Sequence, residues 1–368
     1  MKLVLIDNIA AHYRGPIFRL LDSEIGLDFF VGDKQEDVKK MDYTTLRGRV
    51  SEVHNRYFRH CYYQVGVPSL LFKSYDTYLI LGDMRCLSTW MLLIGHTFFP
   101  RKRMYLWSHG DLGKSGKLHS LIMRLFYSMA NGAFIYNERS REIMIRKGVP
   151  AHKLRTIYNS LDYDRQLPIR QELHTDSIYS DHFKNDNRNI IFIGRLTKVK
   201  RLDLILEALS VLRERGEYYN VTFIGDGVER QLLEAKVREL NLSGSVWFYG
   251  ECYEEKENAC LIYNADLCVS PGNIGLTAMH VLMFGCPAIT NDDFNHQMPE
   301  FEAIIDGKTG SFFNDGDSLS LADSISGWFD THQNDREIIR NNCYQVIDGK
   351  WNPHNQIAIF KDVLLNIE

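Results

Sequence analysis

Short runs rich in β-branched and aromatic residues alternate with amphipathic stretches along this 368-residue chain. Such runs are typical of parallel strands buried on both faces, and apolar residues at three- and four-residue spacing between them indicate helices. The runs that predict strands are KLVLID, DTYLILG, RMYLWSHG, GAFIYN, LRTIYN, RNIIFIGR, NVTFIGDG, SVWFYGEC, ADLCVSPG and GCPAITND. This alternation predicts an α/β fold whose parallel sheets are covered on both faces.

The pattern restarts after a polar stretch rich in Asp, His, Asn and Ser, and the chain is too long for one typical core. We therefore expect two Rossmann-like domains, residues 1–165 and 189–350, joined by a linker at 166–188. Ligands in such sheets bind beyond the carboxyl ends of the strands, so both domains should present these ends to a cleft. The tail, 351–368, predicts a closing helix that packs either on its own domain or back on the first.

Composition is that of an ordinary soluble protein, with 45% hydrophobic and 24% charged residues. The seven cysteines show no metal-ligand spacing, which favours reduced thiols in a cytosolic protein. The start, MKLVLID, predicts a first strand instead of a signal peptide because Asp7 interrupts its apolar run. The longest apolar stretch, WMLLIGHTFF, is too short to span a bilayer.

Charge is distributed unevenly along the chain, whose net charge is -4. Residues 1–188 carry a net charge of +8 and the remainder carries -12. Either the basic half faces an anionic partner, or the asymmetry is surface variation without function.

Two glycine-led turns carry the candidate chemistry. In FIGRLTKVKRLDL, Gly194 ends a strand, and Arg195 and Lys200 precede a helix. Close backbone approach, helix amides and two cations suit a diphosphate, whereas an isolated turn of this kind would more simply be a solvated basic loop. In SPGNIGLTAMH, Gly272 and Gly275 precede a second helix whose amides could hold the same phosphates.

Other nucleotide-binding and hydrolytic classes are excluded by their missing motifs. FIGDGVERQL places Asp226 between two glycines but lacks the third glycine of a dinucleotide fingerprint. No Walker A, HExxH or GxSxG sequence occurs, which removes P-loop NTPases, zincins and α/β-hydrolases.

Longer segments of the second half resemble a known family. FIGRLTKVKRLDLILEAL, VTFIGDGVERQLLEAKVRELNLSGSVWFYGEC, ADLCVSPGNIGLTAMHVLMFGCPAI and DGKTGSFF are similar to successive motifs of the retaining GT-B glycosyltransferases, the group 1 or family 4 class. The resemblance is specific over residues 189–313, and looser in the first half through YLWSHG and KGVPAHKLRTIYNSLD. It implies GT-B architecture, with two Rossmann-like domains facing across a cleft and the acceptor held mainly by the first.

The resemblance also implies roles for individual residues. The donor diphosphate would lie between Arg195, Lys200 and a row of backbone amides, and the nucleotide base would lie near Glu251. His109 would meet the donor sugar, and Gly15, beside Arg14, occupies a loop that adjoins the phosphates in the family. The implied donor-binding residues are completed by Gly194, Asp226, Gly272, Asn273, Ile274, Gly275, Leu276, Thr277 and His280.

The chain departs from the family at its E-x7-E pair, whose two glutamates fall on Gly272 and His280. A histidine can still hydrogen-bond a ribose hydroxyl, whereas a glycine offers only its backbone. The alternative is that His280 is a core residue of an apolar helix. Because a departing diphosphate mainly needs positive charge and amide dipoles, we predict that transfer activity is retained.

Two further stretches have two interpretations each. In NDDFNHQMPEFEAI, Gln297 or Glu300 would supply sugar contacts missing at Gly272, or the stretch is a solvated acidic loop before a helix started by Pro299. The helix containing GKLHSLIMRLFYSM either packs its apolar residues in the core, which we favour, or contacts anionic lipid.

The sequence thus predicts a retaining glycosyltransferase that needs neither cofactor nor metal. Family frequency favours a UDP-sugar donor, and the expected acceptor is a glycan or lipid-diphosphate-linked saccharide in surface polysaccharide assembly. We expect a cytoplasmic protein that binds no nucleic acid, and peripheral contact with the inner face of the membrane is left open as an alternative. The alternatives are a nucleotide-sugar-binding module without transfer activity and a nucleotide-sugar epimerase on the same fold.

Overall fold

The computed structural model describes residues 1–34, 38–99, 101–114 and 116–365. It divides the chain into two compact units. Unit 1 consists of Met1–Asp162 and the segment from Asn352 onward, and unit 2 consists of Tyr163–Trp351. The last three residues of the predicted closing helix, 366–368, lie outside the described residues.

Strands and helices alternate along both units. The strands are β1 Leu3–Asp7, β2 Leu27–Gly32, β3 Val50–Val53, β4 Asn55–Phe58, β5 Cys61–Gln64, β6 Thr77–Leu81, β7 Arg103–Ser108, β8 Gly132–Ile135, β9 Leu154–Thr156, β10 Arg188–Ile193, β11 Tyr219–Ile224, β12 Val246–Gly250, β13 Leu267–Ser270, β14 Ala288–Asn291 and β15 Gly310–Phe313. The α-helices are α1 Gly15–Leu20, α2 Leu87–His96, α3 Lys117–Ser128, α4 Glu138–Arg146, α5 Tyr163–Glu172, α6 Ile178–Phe183, α7 Asp203–Glu214, α8 Arg230–Glu239, α9 Glu255–Asn264, α10 Leu276–Met283, α11 Ser318–Thr331, α12 Arg336–Gly349 and α13 Pro353–Leu365.

Unit 1 is built on a seven-stranded parallel sheet with the order β3-β2-β1-β6-β7-β8-β9. An antiparallel hairpin, β4 and β5, forms a separate small sheet. Apolar residues from both faces of the large sheet form two core layers beneath the helices. The unit is therefore Rossmann-like, as predicted.

The C-terminal helix belongs to the core of unit 1. Phe360 on α13 is fully buried, with its ring 5.0 Å from Trp107 and 4.5 Å from Phe134. Ser160 donates a 2.6 Å hydrogen bond to Gln356 of the same helix. Side-chain periodicity had left the position of this helix open, because it shows which face is apolar and not which surface covers that face.

Unit 2 is a six-stranded parallel sheet with the order β12-β11-β10-β13-β14-β15. The chain runs outward from β10 through β11 to β12, and then outward in the other direction from β13 through β14 to β15. The connections on either side of the β10–β13 pair therefore diverge at the carboxyl ends of these strands. Such a switch point is where open α/β sheets bind ligands.

The segment predicted as a linker differs from that prediction. Residues 166–188 contain most of α5 and all of α6, and both helices are part of unit 2. Tyr179 on α6 is buried, and its hydroxyl donates a 2.7 Å hydrogen bond to the Leu261 carbonyl on α9. The polar composition comes from the exposed side of these helices, whereas Tyr179 packs α6 against the rest of unit 2.

All ten predicted strands are present in the described chain. The sequence reading omitted β2, β3, β15 and the hairpin, which are short and mostly mixed in polarity. The expected helix after Pro299 is only a 3₁₀ segment, Pro299–Ala303. No helix among the described residues is long and apolar enough to span a membrane.

Candidate functional site

Two glycine-led turns meet at the switch point of unit 2. The Gly272 amide donates a 3.0 Å hydrogen bond to the Lys200 carbonyl, and the Lys200 ammonium donates to the Asn273 carbonyl. The Thr277 hydroxyl donates to the Ile193 carbonyl over 3.2 Å. The turn after β10 and the turn after β13, predicted to converge on one ligand, therefore lie against each other.

Gly272 is the point of closest approach between these turns. A Cβ atom at this position would lie 2.0 Å from the Val199 carbonyl oxygen and 2.9 Å from the carbonyl carbon of Lys200. Both neighbouring groups are backbone and cannot rotate away. A glutamate, the residue the family pattern has here, would require the two turns to move apart.

A third turn, after β11, lies against the first. The Leu196 amide donates a 2.9 Å hydrogen bond to the Asp226 carbonyl, and a Cβ at Gly225 would lie 2.1 Å from the Gly194 carbonyl oxygen. The Asp226 carboxylate accepts the Gly227 amide at 2.7 Å and pairs with Arg230 at 3.3 Å. The Asp226 side chain therefore stabilises the turn to which it belongs, just before α8.

Glu251 follows β12, whose last residue accepts a 2.7 Å hydrogen bond from the Gly225 amide. Glu251 is exposed, and a hydrogen bond from the exposed Tyr253 hydroxyl to this carboxylate raises the pKa of Tyr253. The predicted base-binding position therefore lies at the carboxyl end of the same sheet as the turns after β10 and β13.

Positive charge is concentrated at the meeting turns. Arg195 is exposed, and its side chain has no hydrogen-bond acceptor within the described ranges. Lys200 is half-buried; burial lowers the pKa of its ammonium, as does the charge of Arg195, while Cys268 and Glu300 act in the opposite direction. Two cations held this close favour an anion between them.

Helix α10 contributes its amino terminus to the same place. The amides of Gly275, Leu276 and Thr277 have no acceptor among the described parts of the chain. Gly275 takes a backbone conformation with φ of 52°, which a residue with a side chain adopts only with strain. Free amides and the positive end of the helix dipole complete an anion-binding site.

The row of free amides is shorter than predicted. The Ile274 amide donates a 3.0 Å hydrogen bond to the Gln297 side chain, and the Gly272 amide is taken by Lys200. Neither is available to a phosphate in this arrangement. Of the amides at 273–277 implied by the family pattern, only that of Ile274 is taken, and the amide of Asn273 and those at the helix start have no acceptor among the described residues.

The side chain of Gln297 is hydrogen-bonded to the turn after β13 and is not available to contact a sugar, which corrects the prediction for this residue. It is 1% exposed, and its amide nitrogen donates to the Gly272 carbonyl at 3.1 Å and to the Thr290 hydroxyl at 2.9 Å. Glu300 is also buried and is close enough to Lys200 to influence its pKa electrostatically. Gln297 and Glu300 belong to a stretch that resembled a solvated acidic loop. Both are instead buried beside the turns that carry Arg195 and Lys200.

His280 lies one turn into α10 and pairs with a carboxylate that the sequence analysis missed. Its Nε2 atom is 3.1 Å from Oε1 of Glu255, the first residue of α9, and this oxygen also accepts a 2.7 Å hydrogen bond from Gln166. Burial acts to raise the pKa of Glu255, but the hydrogen bond and charge of His280 outweigh it and lower the pKa. The acidic run ECYEEKEN after β12 was the available signal.

Arg201 occupies a position where the family pattern has glycine. Its φ is 50°, in the left-handed region that favours glycine. The guanidinium lies 3.4 Å from the Asp203 carboxylate, and both side chains are about two-fifths exposed. Arg201 therefore has a backbone conformation that glycine adopts more easily, at a position where the family pattern has glycine.

Unit 1 contains a separate cavity of about 670 Å³ at the carboxyl ends of its central strands. Arg14 lines it, donates a hydrogen bond to the buried Asp7 and stacks over the Trp107 ring at 4.1 Å. Gly15, predicted to adjoin the phosphates, begins α1 directly behind Arg14 and is buried. Polar lining residues include Asn8, His60, Asp83, Arg85, Ser108, His109 and His119.

His109 forms part of this cavity wall, with its ring centroid 4.8 Å from that of Tyr136. Burial, and then the charge of Arg14, lower the pKa of the imidazole, although more than a third of the residue is exposed. An uncharged imidazole can both donate and accept hydrogen bonds to hydroxyl groups. Sequence reasoning identified His109 and Arg14 but not their neighbours Asp83 and Arg85.

The comparisons with known proteins agree with this arrangement. Residues 176–346 match the family model described as glycosyl transferases group 1. This match covers almost all of unit 2. Unit 2 therefore resembles the group 1 glycosyl transferases.

Curated relatives align with only part of their length. EpsD of Bacillus subtilis (strain 168), provisionally named a glycosyltransferase, is 27% identical over 146 residues, which is 39% of this chain and 36% of EpsD. An uncharacterized 41.2 kDa protein in a Klebsiella pneumoniae cps region is 26% identical over 53% of this chain and 52% of that protein. The chain thus spans about half or less of the curated relatives that it matches.

Solved glycosyltransferase structures share the fold over the whole chain. Anabaena Alr3699/HepE in complex with UDP has a TM-score of 0.70 at 15% identity, with 100% of each chain covered. The lipopolysaccharide outer core galactosyltransferase WaaB has a TM-score of 0.72 at 14% identity, also with 100% of each chain covered. Units 1 and 2 are therefore the two Rossmann-like units of a GT-B architecture.

Proposed function

We propose that the protein transfers a sugar from a nucleotide-sugar donor to a saccharide acceptor, with retention of the anomeric configuration. The observation that carries this proposal is the anion site of unit 2. There, Arg195 and Lys200 meet three free amides at the start of α10, at the switch point of a parallel sheet. The family match of the same unit supports it.

The chemistry follows from what a nucleotide sugar requires. Its diphosphate is a good leaving group once the developing negative charge is stabilised, and the cations and amides are fixed for that purpose. Charge-assisted hydrogen bonds contribute about 1.5–3 kcal/mol each, so this cluster outweighs the loss of a single ribose contact. The departing phosphate can itself accept the proton of the acceptor hydroxyl on the same face of the sugar, so no enzymic carboxylate is needed as a nucleophile.

We propose that residues around the anion site determine which nucleotide sugar is bound. We place the ribose against His280 and its partner Glu255, and the base near Glu251 at the end of β12. A UDP-sugar is the proposed donor, supported by UDP and UDP-glucose in the HepE structures that share this fold. Arg195 and Lys200 supply the positive charge that a divalent ion provides in other transferases, so transfer is proposed to be metal-independent.

The acceptor is proposed to bind in the cavity of unit 1. A volume of about 670 Å³ with Ser108, His109 and the carboxylate-paired Arg14 and Arg85 in its wall suits the hydroxyl groups of a saccharide. A glycan or lipid-diphosphate-linked saccharide of surface polysaccharide synthesis is the proposed acceptor class. The relative in a cps region and the WaaB fold match support this class.

Nucleotide release from a panel of UDP-, GDP-, ADP- and dTDP-sugars tests the proposal. We expect one nucleotide class to be released, and release to fall at least tenfold in Arg195→Ala and in Lys200→Ala. Lys308→Ala is the matched control, since this exposed cation precedes β15 at the opposite end of the sheet. Its release rate should equal that of the wild type.

Other outcomes identify the alternatives. Donor binding with no release, with or without added acceptor, would show a binding module and end the transferase proposal. Conversion of the donor sugar into its epimer, with the nucleotide still attached, would show an epimerase.

A further inference from the structure

Helix α3 presents an apolar face to solvent. Leu118, Leu121, Ile122 and Leu125 follow one another at three- and four-residue spacing and are 72%, 63%, 41% and 55% exposed. The buried residues of the same helix are Met123, Phe126 and Tyr127. The expectation that this apolar stripe packs in the core is therefore wrong: the helix has a second apolar face.

The neighbouring helix α2 repeats this arrangement. Its Leu87, Met91, Ile94 and the following Phe98 are 42%, 48%, 52% and 77% exposed and lie at helical spacing. The two helices cover the same side of the sheet, with Trp90 and Phe126 in contact at 4.8 Å. We call the exposed residues of α2, α3 and Phe98 the apolar surface of unit 1.

Charged residues in this part of the sequence are mostly basic. Between Met84 and Asn137 the chain has seven Lys or Arg residues and a single acidic residue, Asp111. Asp111 is 6% exposed and is paired with Lys147 at 2.7 Å, so it presents no negative charge outward. On α3 itself, Lys117 and Arg124 lie four residues before and three residues after Leu121, beside the apolar residues.

We propose that the apolar surface of unit 1 docks on an anionic lipid bilayer. Exposed aliphatic residues flanked by cations, here the exposed Lys114, Lys117 and Arg124, are the pattern of helices that lie in a membrane interface. Aliphatic side chains enter the acyl boundary while the cations contact phosphate headgroups. A symmetric dimer through this face would bring two sets of cations together, which opposes self-association.

The cavity of unit 1 opens beside this surface. His119 and Ile122 of α3 both line the cavity, and Ile122 also belongs to the exposed apolar face. A molecule anchored in the bilayer under α3 is therefore presented at the cavity entrance. Resting on the proposed function, this assigns an acceptor whose saccharide is attached to a membrane lipid.

Vesicle flotation of the full chain tests the docking without any reaction. We expect binding to vesicles of phosphatidylcholine and phosphatidylglycerol in equal amounts, little binding to phosphatidylcholine alone, and release at high salt. Leu121→Ser with Leu125→Ser should lower vesicle affinity at least tenfold. Lys117→Gln and Arg124→Gln should each lower it about fivefold.

The matched control lies in unit 2, where Val228 and Leu232 are 83% and 64% exposed. Val228→Ser with Leu232→Ser should leave vesicle binding unchanged. Absence of binding to anionic vesicles, or equal loss in the control variant, would overturn the proposal. Dimerisation of the lipid-free protein that Leu121→Ser with Leu125→Ser abolishes would assign the surface to a second copy instead.

The same variants separate this inference from the proposed function. Leu121 and Leu125 do not line the cavity, so nucleotide release from a soluble donor should be unchanged in the α3 variant. A protein that binds vesicles but releases no nucleotide would remove the transferase proposal and leave the docking surface in place. A protein that releases nucleotide but binds no vesicles would remove the docking proposal and leave the transferase proposal in place.

Discussion

Replacement of Gly272 by alanine is the sharpest test of how the anion site is assembled. The added Cβ would lie 2.0 Å from the Val199 carbonyl oxygen, whereas ordinary non-bonded contacts begin near 3.4 Å. The turn after β13 must therefore move away from the turn after β10 by about 1 Å or more. That movement breaks the 3.0 Å hydrogen bond from the Gly272 amide to Lys200 and displaces the start of α10.

The expected loss of stability follows from these contacts. Overpacking a rigid site costs about 1–3 kcal/mol, and a lost buried hydrogen bond adds about 1 kcal/mol. We expect the free energy of unfolding of unit 2 to fall by about 2–4 kcal/mol. At about 2–4 °C per kcal/mol for a unit of this size, the melting temperature should fall by about 5–15 °C.

Gly327→Ala is the matched control because Gly327 lies inside α11 and a Cβ there meets nothing within 4 Å. Alanine in a helix interior should raise stability by about 0.5–1 kcal/mol. Differential scanning fluorimetry and urea unfolding, each with and without nucleotide, measure both effects. Gly272→Ala should also lose the stabilisation by nucleotide, because the cations and amides no longer converge.

A wild-type melting temperature and an intact nucleotide response in Gly272→Ala would refute this packing. Gly272→Glu would restore the carboxylate of the family pattern, but we expect it to melt at least as low as the alanine variant. A gain in nucleotide release by that variant would show that the backbone has room for the side chain after all.

Four further predictions concern the same unit. Arg195→Ala should lower the rate of nucleotide release without lowering the melting temperature, because this exposed side chain has no hydrogen-bond or ion-pair partner among the described residues; a rise in KM with unchanged kcat would mean that it binds the ground state and the transition state equally. Lys200→Ala should lower both, because the ammonium also holds the turn after β13. Arg201→Gly should raise the free energy of unfolding by about 1 kcal/mol, because the left-handed backbone no longer strains a side chain; an unfolding midpoint below wild type would contradict this. His280→Ala should weaken donor binding and cost about 1–3 kcal/mol at neutral pH, because the Glu255 carboxylate loses one of its two hydrogen-bond partners and keeps Gln166.

The pH dependence of His280→Ala has a definite sign. Because His280 lowers the pKa of Glu255 in the folded protein, this carboxylate contributes stability above its unfolded pKa and loses it as the pH falls through the folded pKa. Wild type and variant should therefore differ most in unfolding free energy at neutral pH and converge in acid. A difference that persists unchanged below the titration of Glu255 would mean that its ionisation is not involved.

Much of the architecture could be predicted from local sequence patterns. Buried parallel strands read as continuous apolar runs, so the ten main strands and the Rossmann-like class followed from the sequence. Glycines before helices also marked the turns that meet at the switch point, because close backbone approach leaves room for no other residue. Arg195 and Lys200 were identified for the same reason, since their positions relative to the strand end are local.

Contacts between distant parts of the chain required the tertiary structure. Gln297 lies in a stretch that resembled a solvated acidic loop, yet its side chain is hydrogen-bonded to the Gly272 turn. Glu255 was not identified from the sequence, yet it pairs with His280. An amphipathic helix shows from its spacing that it has an apolar face, but both faces of α3 carry apolar residues, and only packing shows which of them is buried. Periodicity is a property of one helix, whereas burial depends on which surface the rest of the chain places against it.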